Sequence, residues 1–192
     1  MKKVQKGQPG YFRFRKLQTG IAMASGYLLV LLLFFTGIFI FADRGNLFTV
    51  VAIASMLPTA KMTVNFLMYP KKGKADSAEF DELCHNYPKL TFLADILITP
   101  EKKIVEFPYT AVTRSHLIIY CNDKKLDESY HGKYIRQFLK NDDINVDVSF
   151  YSDLNKFKKR LASISVNEPE EYSTEEQEQI EKIVNSFKIM SI

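Results

Sequence analysis

Two long apolar runs near the start of the chain constrain its fold more than any other feature. They cover residues 17–42 and 47–69 and are separated by four residues. A bilayer core of about 30 Å needs roughly 20 apolar helical residues, so each run is long enough to cross it. The first run is also longer than the apolar region of about 7–15 residues in a cleaved signal peptide. We therefore predict a hairpin of two membrane-spanning helices over residues 17–70.

The second run is more polar than the first, since it contains Pro58, Lys61 and Asn65. Lys61 and Asn65 are four residues apart and therefore share one face of a helix. They predict a contact with another helix. An alternative for Lys61 is that its long side chain carries the amine out to the membrane interface. A re-entrant or interfacial segment is the alternative for the run as a whole.

Basic residues flank the two runs on one side and predict their orientation. The connector has one Asp and one Arg, whereas the outer flanks have nine Lys and Arg. Because cytoplasmic flanks carry the excess of Lys and Arg, we expect both termini in the cytoplasm and the hairpin in the inner membrane of a bacterial cell. The residues expected to face anionic lipid head groups are Lys2, Lys3, Lys6, Arg13, Arg15, Lys16, Lys71, Lys72 and Lys74.

The charge of the chain is divided between its two parts. Residues 1–74 have a formal charge of +10 and residues 75–192 one of −6, so the net charge of +4 conceals the difference. The positive charge lies beside the predicted spans, where membrane lipids are the expected partner, and the split argues against nucleic acid. Residues 1–16 are accordingly interpreted as a basic juxtamembrane arm.

The pattern after the hairpin is that of a small globular domain. Runs at 91–99, 103–112, 115–121 and 145–150 are typical of strands, and the short connections among the first three favour an antiparallel meander. Segments 76–87, 127–140 and 152–164 have helical periodicity. We predict an α+β fold over residues 75–164, with a mostly antiparallel sheet of about four strands and flanking helices. Pro108 interrupts the second strand, which indicates an edge strand or a bulge.

An acidic linker and a final helix are predicted over residues 165–192. Ser173 followed by Glu176 is the signature of a capping box, in which each side chain bonds the backbone N–H of the other residue. The apolar stripe of this helix predicts packing on its own domain, with partner binding as the alternative.

The order helix, three-strand meander, helix, strand, helix covers about 90 residues. It resembles the core of restriction-endonuclease-like folds, including nuclease-related domains of some membrane-associated bacterial proteins. That family uses an Asp and a Glu-x-Lys on neighbouring strands to hold Mg²⁺ and to assist the attacking water. The resemblance implies Asp95, Glu106 and Lys103 as candidate catalytic residues. The motif is incomplete here, because Glu106 has no lysine two residues later and Lys103 lies in a predicted turn.

The remaining chemistry-bearing residues do not form a known motif. A zinc site would need paired ligands, and the chain has neither a CxxC nor an HxxxH spacing among Cys84, His85, His116, Cys121 and His131. It also has no phosphate-binding glycine loop and no G-x-S-x-G. We therefore predict no metal and no cofactor.

Residues 1–16, residues 55–61 and the meander also resemble uncharacterised two-span membrane proteins of Gram-positive anaerobes. Some of those carry the label "O-linked GlcNAc transferase-like", but this chain has no nucleotide-binding loop to support such an activity. The function predicted is a membrane-tethered interaction or scaffold module whose partner is another membrane protein or a second copy. The alternatives are a divergent membrane-bound nuclease-like enzyme and a small subunit of an oligomeric transporter or membrane complex.

Overall fold

The computed structural model describes residues 4–41, 46–69, 75–100, 104–123 and 126–191. The chain divides into two compact units. Residues 12–72 form one, here called the hairpin unit. Residues 1–11 and 73–192 form the other, here called the domain unit. The start of the chain therefore belongs to the same unit as the region after the hairpin.

Two long helices, α1 (Tyr11–Phe41) and α2 (Leu47–Met68), make up the hairpin. At 1.5 Å per residue they are about 46 Å and about 33 Å long, enough to cross a bilayer core of about 30 Å. α1 begins six residues before the apolar run, so residues 11–16 of the predicted arm are helical. Asn46 caps α2, and its side chain accepts a hydrogen bond of 3.0 Å from the Thr49 N–H.

Small residues allow α1 and α2 to pack closely. A Cβ atom on Gly26 would lie 2.9 Å from the Thr59 Oγ1, a distance that side chains do not tolerate. Close packing at small residues is the main source of helix association in lipid, where apolar burial gives no advantage. The hydroxyls of Tyr27 and Thr63 add an interhelical hydrogen bond of 3.1 Å.

The domain unit contains both helices and strands, and each of its described helices begins at a residue whose side chain caps it. Asp76, Asp127, Asp153 and Ser173 accept hydrogen bonds from backbone N–H groups in the first turns. Ser173 and Glu176 form the predicted capping box. The elements are α3 (Ser77–Asn86), β1 (Thr91–Ile98), β2 (Val105–Val112), β3 (His116–Tyr120), α4 (Glu128–Asn141), β4 (Asp147–Tyr151), α5 (Leu154–Asn167) and α6 (Thr174–Met190).

The four strands of the described residues form one sheet in the order β1-β2-β3-β4. β1 to β3 are the predicted antiparallel meander, and β4 lies parallel to β3. The α+β prediction with a mostly antiparallel sheet is confirmed. β2 is not an edge strand, because it pairs with β1 on one side and with β3 on the other, but its pairing with β3 begins only at Tyr109 and its pairing with β1 is interrupted at Pro108. Pro108 is tolerated there because it lies outside both sets of paired residues.

Helices cover both faces of the sheet and create two apolar cores. The first, here called the α4/α6 core, includes Ile135 and Leu139 of α4 and Phe187 of α6. The second, here called the α3/α5 core, includes Leu83 of α3 and Phe157 of α5. The final helix therefore packs on its own domain, the first of the two arrangements considered from its sequence.

Candidate functional site at the junction of arm and sheet

Asp95, the first candidate carboxylate, is the one charged residue of β1 and is only 1% exposed. Its backbone has φ = +49°, in the left-handed region that residues other than glycine rarely adopt. Such conformations cost free energy and persist only where surrounding contacts hold them in place. Hydrogen bonds from two distant chain segments hold Asp95 in this conformation.

Both carboxylate oxygens of Asp95 accept hydrogen bonds from the backbone. Oδ2 accepts from the Gly10 N–H at 3.0 Å, and Oδ1 accepts from the Ala75 N–H at 3.1 Å. Gly10 directly precedes α1, and Ala75 directly precedes Asp76, the residue that caps α3. One buried side chain thus binds the chain segments on both sides of the hairpin. Hydrogen bonds to a charged acceptor are about twice as strong as those between neutral groups.

The arm before α1 lies along β1. The Ala94 N–H donates to the Gly7 carbonyl at 2.8 Å, and the Lys6 amine donates to the Ser191 carbonyl at 2.6 Å. Gly7 has φ = +92°, and a Cβ atom there would lie 2.8 Å from the Leu93 side chain. The positive φ favours glycine at this position, and the arm packs against β1 as part of the domain unit.

Burial raises the pKa of Asp95, and the two backbone N–H donors, from Ala75 and Gly10, act in the opposite direction. The desolvation of a buried carboxylate is the larger effect here. A perturbed carboxyl group is a common mark of a functional site, but structural networks perturb pKa values in the same way. The contacts of Asp95 favour the second explanation.

The alternation of side chains between the two faces of the sheet changes at Asp95 of β1 and Pro108 of β2. These residues lie opposite each other, between two paired positions of the strands. Leu93 and Ile96 both lie in the α4/α6 core, although their spacing in a regular strand would place them on opposite faces. On β2, Phe107 lies in the α4/α6 core and Tyr109 in the α3/α5 core, although regular alternation would place them together. The left-handed residue therefore reverses the alternation of both strands.

A second polar network adjoins this site. The Asp76 N–H donates to the Tyr109 Oη at 2.8 Å, and the Tyr109 hydroxyl donates to the Glu79 carboxylate at 3.0 Å. Lys158 forms ion pairs with Glu79 at 3.5 Å and with Glu82 at 3.2 Å. Burial, with Glu79 adding to it, raises the pKa of the Tyr109 phenol. The network fixes the start of α3 to the sheet.

The other two candidate catalytic residues are placed differently. Glu106 is buried on β2 opposite Leu97, and Lys103 lies outside the described residues. Among the described residues, no group of three or more His, Cys, Asp or Glu side chains is arranged to hold a metal ion. Each oxygen of Asp95 already accepts one backbone hydrogen bond, and no second carboxylate among the described residues joins it in a metal-binding group.

The predicted lipid-facing residues divide between the two units. Lys6 belongs to the domain unit, whereas Arg13, Arg15 and Lys16 lie on α1. Arg15 donates to the Gln18 side chain at 2.9 Å, and Lys16 donates to a carbonyl at the end of α2 at 2.7 Å. The remaining members of the set lie outside the described residues: Lys2, Lys3, Lys71, Lys72 and Lys74.

Lys61 and Asn65 lie on the face of α2 that points away from α1. The contacts with α1 come from Thr59 and Thr63, and at 100° per residue Lys61 is offset by about 160° from both. Both Lys61 and Asn65 are exposed. A helix contact made by this pair would therefore involve a second chain.

Sequence reasoning missed the junction itself. The segment Gly7-Gln8-Pro9-Gly10 is a turn signal that could have been recognised, and both glycines have positive φ. Its binding to Asp95, 85 residues away in sequence, has no local signature. Comparison with protein-family models, with curated proteins and with solved structures finds no match to this chain.

Proposed function

We propose that this chain is a membrane-tethered interaction module. In this proposal the hairpin spans the inner membrane of a bacterial cell, and the α+β domain is held at the cytoplasmic face for another membrane protein or a second copy to bind. The observation that carries the proposal is the exposure of the two long helices. Only 11% of the most apolar window of each helix is buried, whereas the core helix of a soluble protein is mostly buried.

The distribution of charge supports the cytoplasmic orientation. Neither α1 nor α2 contains an acidic residue, and most basic residues of this part of the chain lie before α1, in its first two turns, or after α2. Such a distribution is typical of cytoplasmic flanks. A domain on that side would have reduced cysteines, in agreement with the free thiols of Cys84 and Cys121.

The exposed pair Lys61 and Asn65 supports a partner within the membrane. Polar side chains are costly in lipid unless they bind another group or reach the interface. Since this pair faces away from α1, a helix with a carboxylate or amide at matching depth would satisfy it. The domain is acidic and the hairpin flanks are basic. The charge of the partner would therefore decide which of these two surfaces attracts it.

Membrane fractionation tests the tether. The full chain should remain in the membrane pellet after carbonate extraction, and a variant lacking residues 12–72 should be released.

Orientation is tested with a membrane-impermeant thiol reagent on a chain with Cys84→Ser, Cys121→Ser and Arg44→Cys. Labelling of Arg44→Cys only from the cytoplasmic side would overturn the orientation. Arg44 is preferred to Asn46 because Asn46 caps α2.

Crosslinking in native membranes tests the partner. Replacement of Lys61 by leucine should remove a specific crosslinked species, while Lys61→Arg, which keeps the charge, should retain it. If both variants crosslink as the native chain does, this face is not the contact.

The nuclease alternative is checked with the full chain, because the arm is part of the domain. Mg²⁺-dependent cleavage abolished by Glu106→Gln would replace the interaction proposal with an enzymatic one.

A further inference from the structure

We propose that the groove between α1 and α2 at the start of the hairpin binds one anionic phospholipid. Its phosphate would lie at Arg13 and Lys16, and one acyl chain would follow the apolar part of the groove. The inference rests on the proposed membrane placement and adds a specific ligand site to it.

The groove has a cationic end and an apolar body. Its volume is about 450 Å³, within the range of about 300–1,000 Å³ usual for ligand pockets. Arg13 and Lys16 lie at one end. The rest of the lining is apolar and comes from both helices: Leu17, Gly20, Ile21, Ala24 and Phe66. An amphiphile with a negative head group has the same division of charge and apolar surface.

The dimensions of the groove match one leaflet. The lining residues of α1 recur every three or four positions, so they form a single stripe on one helix face. From Arg13 to Ala24 the stripe extends eleven residues, about 16 Å along the helix axis. That is about half of the bilayer core of about 30 Å, the depth that one acyl chain occupies.

The two cations have donors available for a phosphate. Lys16 donates to the Tyr69 carbonyl at 2.7 Å and lies 5.0 Å from the centre of the Phe66 ring, which fixes its position. An ammonium group has three donors, so this contact leaves two. Arg13 is exposed and has no ion pair or hydrogen bond with any described residue. Neither helix has an acidic residue, so neither supplies a counter-ion to these two cations.

The floor of the groove depends on Gly20. A Cβ atom there would lie 3.1 Å from the Phe66 ring, so the glycine lets the ring lie close to the α1 backbone. The open space beside the ring faces lipid, where Ile21 is 63% exposed. An acyl chain would cover this surface without displacing any hydrogen bond.

Native mass spectrometry of the full chain in detergent tests the site. The probe is palmitoyl-oleoyl phosphatidylglycerol, compared with phosphatidylcholine of the same chains and with free glycerol phosphate. We expect one saturable phosphatidylglycerol adduct per chain and weaker binding of the other two. Arg13→Gln should reduce the affinity about fivefold, since a cation at a membrane surface contributes about 1 kcal/mol.

Matched variants distinguish lipid binding in the groove from nonspecific attraction of anionic lipid to the basic residues of α1. Arg15→Gln removes the same charge two residues away, at a position offset by about 160° around α1 from Arg13 and outside the groove lining, and should change the affinity by less than Arg13→Gln. Ala24→Phe should fill the groove and reduce binding, whereas Ser25→Phe, on the neighbouring exposed position, should not. Equal losses for both arginine variants or for both phenylalanine variants would overturn the site. So would free glycerol phosphate binding as well as the lipid. A chain that stays in the membrane pellet but fails these tests would lose the lipid site and keep the proposed tether.

Discussion

The hairpin and the domain use the same apolar residue types in opposite ways. Phe39 of α1 is 84% exposed, whereas Phe187 of α6 is completely buried in the α4/α6 core. In the domain, burial of apolar surface away from water stabilises the fold. In the hairpin that gain is absent if the surroundings are lipid, and close contacts at glycines and hydroxyls take its place. Equivalent substitutions in the two regions should therefore have unequal effects.

The largest difference should come from removing a phenylalanine in each region. Phe187→Ala should lower the free energy of unfolding of the domain by about 3–5 kcal/mol, through lost burial and a cavity. Phe39→Ala should change stability by less than about 0.5 kcal/mol, as at other exposed positions. Denaturant titration of the full chain in detergent, followed by near-ultraviolet circular dichroism, measures both. Equal effects would break the comparison between the two regions.

Loss of the Asp95 carboxylate should be the next largest effect. Asp95→Ala leaves the N–H groups of Gly10 and Ala75 without their acceptor, at a cost of about 1–3 kcal/mol each. Hydrogen exchange at residues 7–10 should also accelerate as the arm detaches. Asp143→Ala is the matched control, because Asp143 also has positive φ, +57°, but is exposed. Slow exchange of the arm in the Asp95→Ala variant would show that other contacts hold it.

A smaller effect is expected when close packing in the hairpin is disturbed. Gly26→Val would place atoms against the Thr59 hydroxyl and should destabilise the helix pair by about 1–3 kcal/mol, the usual cost of overpacking. Ser25→Val places the same side chain at an exposed neighbouring position and serves as the control. Titration with sodium dodecyl sulfate, followed by far-ultraviolet circular dichroism, compares the two. An unchanged midpoint for Gly26→Val would mean that glycine contacts do not hold the hairpin.

The smallest effect concerns a phenol on the domain surface. Burial, followed by the neighbouring Glu168 carboxylate, raises the pKa of Tyr172 from 10 to about 12. A raised pKa in the folded state means that the protonated phenol contributes stability below pH 10, which is lost as the pH rises through about 12. Tyr172→Phe should flatten this decline, whereas Tyr130→Phe should not. Unfolding midpoints measured between pH 8 and pH 12 give the comparison.

Local patterns were sufficient for most elements of the domain. The strands predicted at 91–99 and 103–112 agree with β1 and β2 to within two residues at each end, because apolar runs bounded by turn residues have few other structures. Ser173 marked the start of the final helix because only a few side chains can accept a hydrogen bond from the N–H groups of a first turn. The parallel pairing of β4 with β3 was not predicted, since a helix lies between them and pairing across it has no local signal.

One residue of the candidate site, Asp95, was predicted from the sequence, but in a catalytic role and not as an acceptor of backbone hydrogen bonds. Asp95 was a candidate catalytic residue because the resemblance to restriction-endonuclease-like folds implied a carboxylate at this place in the fold. The structure instead shows its oxygens bound to Gly10 and Ala75. The function of the pair Lys61 and Asn65 stays a prediction, although their position on α2 now directs it towards a second chain.

The sequence by itself determined the two long apolar helices, the separation of charge and the α+β class. Each of these follows from periodicity or composition within a short window, where local physics dominates. Only the tertiary structure showed that the arm before the first helix is part of the domain, and that a buried aspartate binds the chain on both sides of the hairpin. Such contacts join residues far apart in sequence, and their free energy depends on burial that exists only after folding.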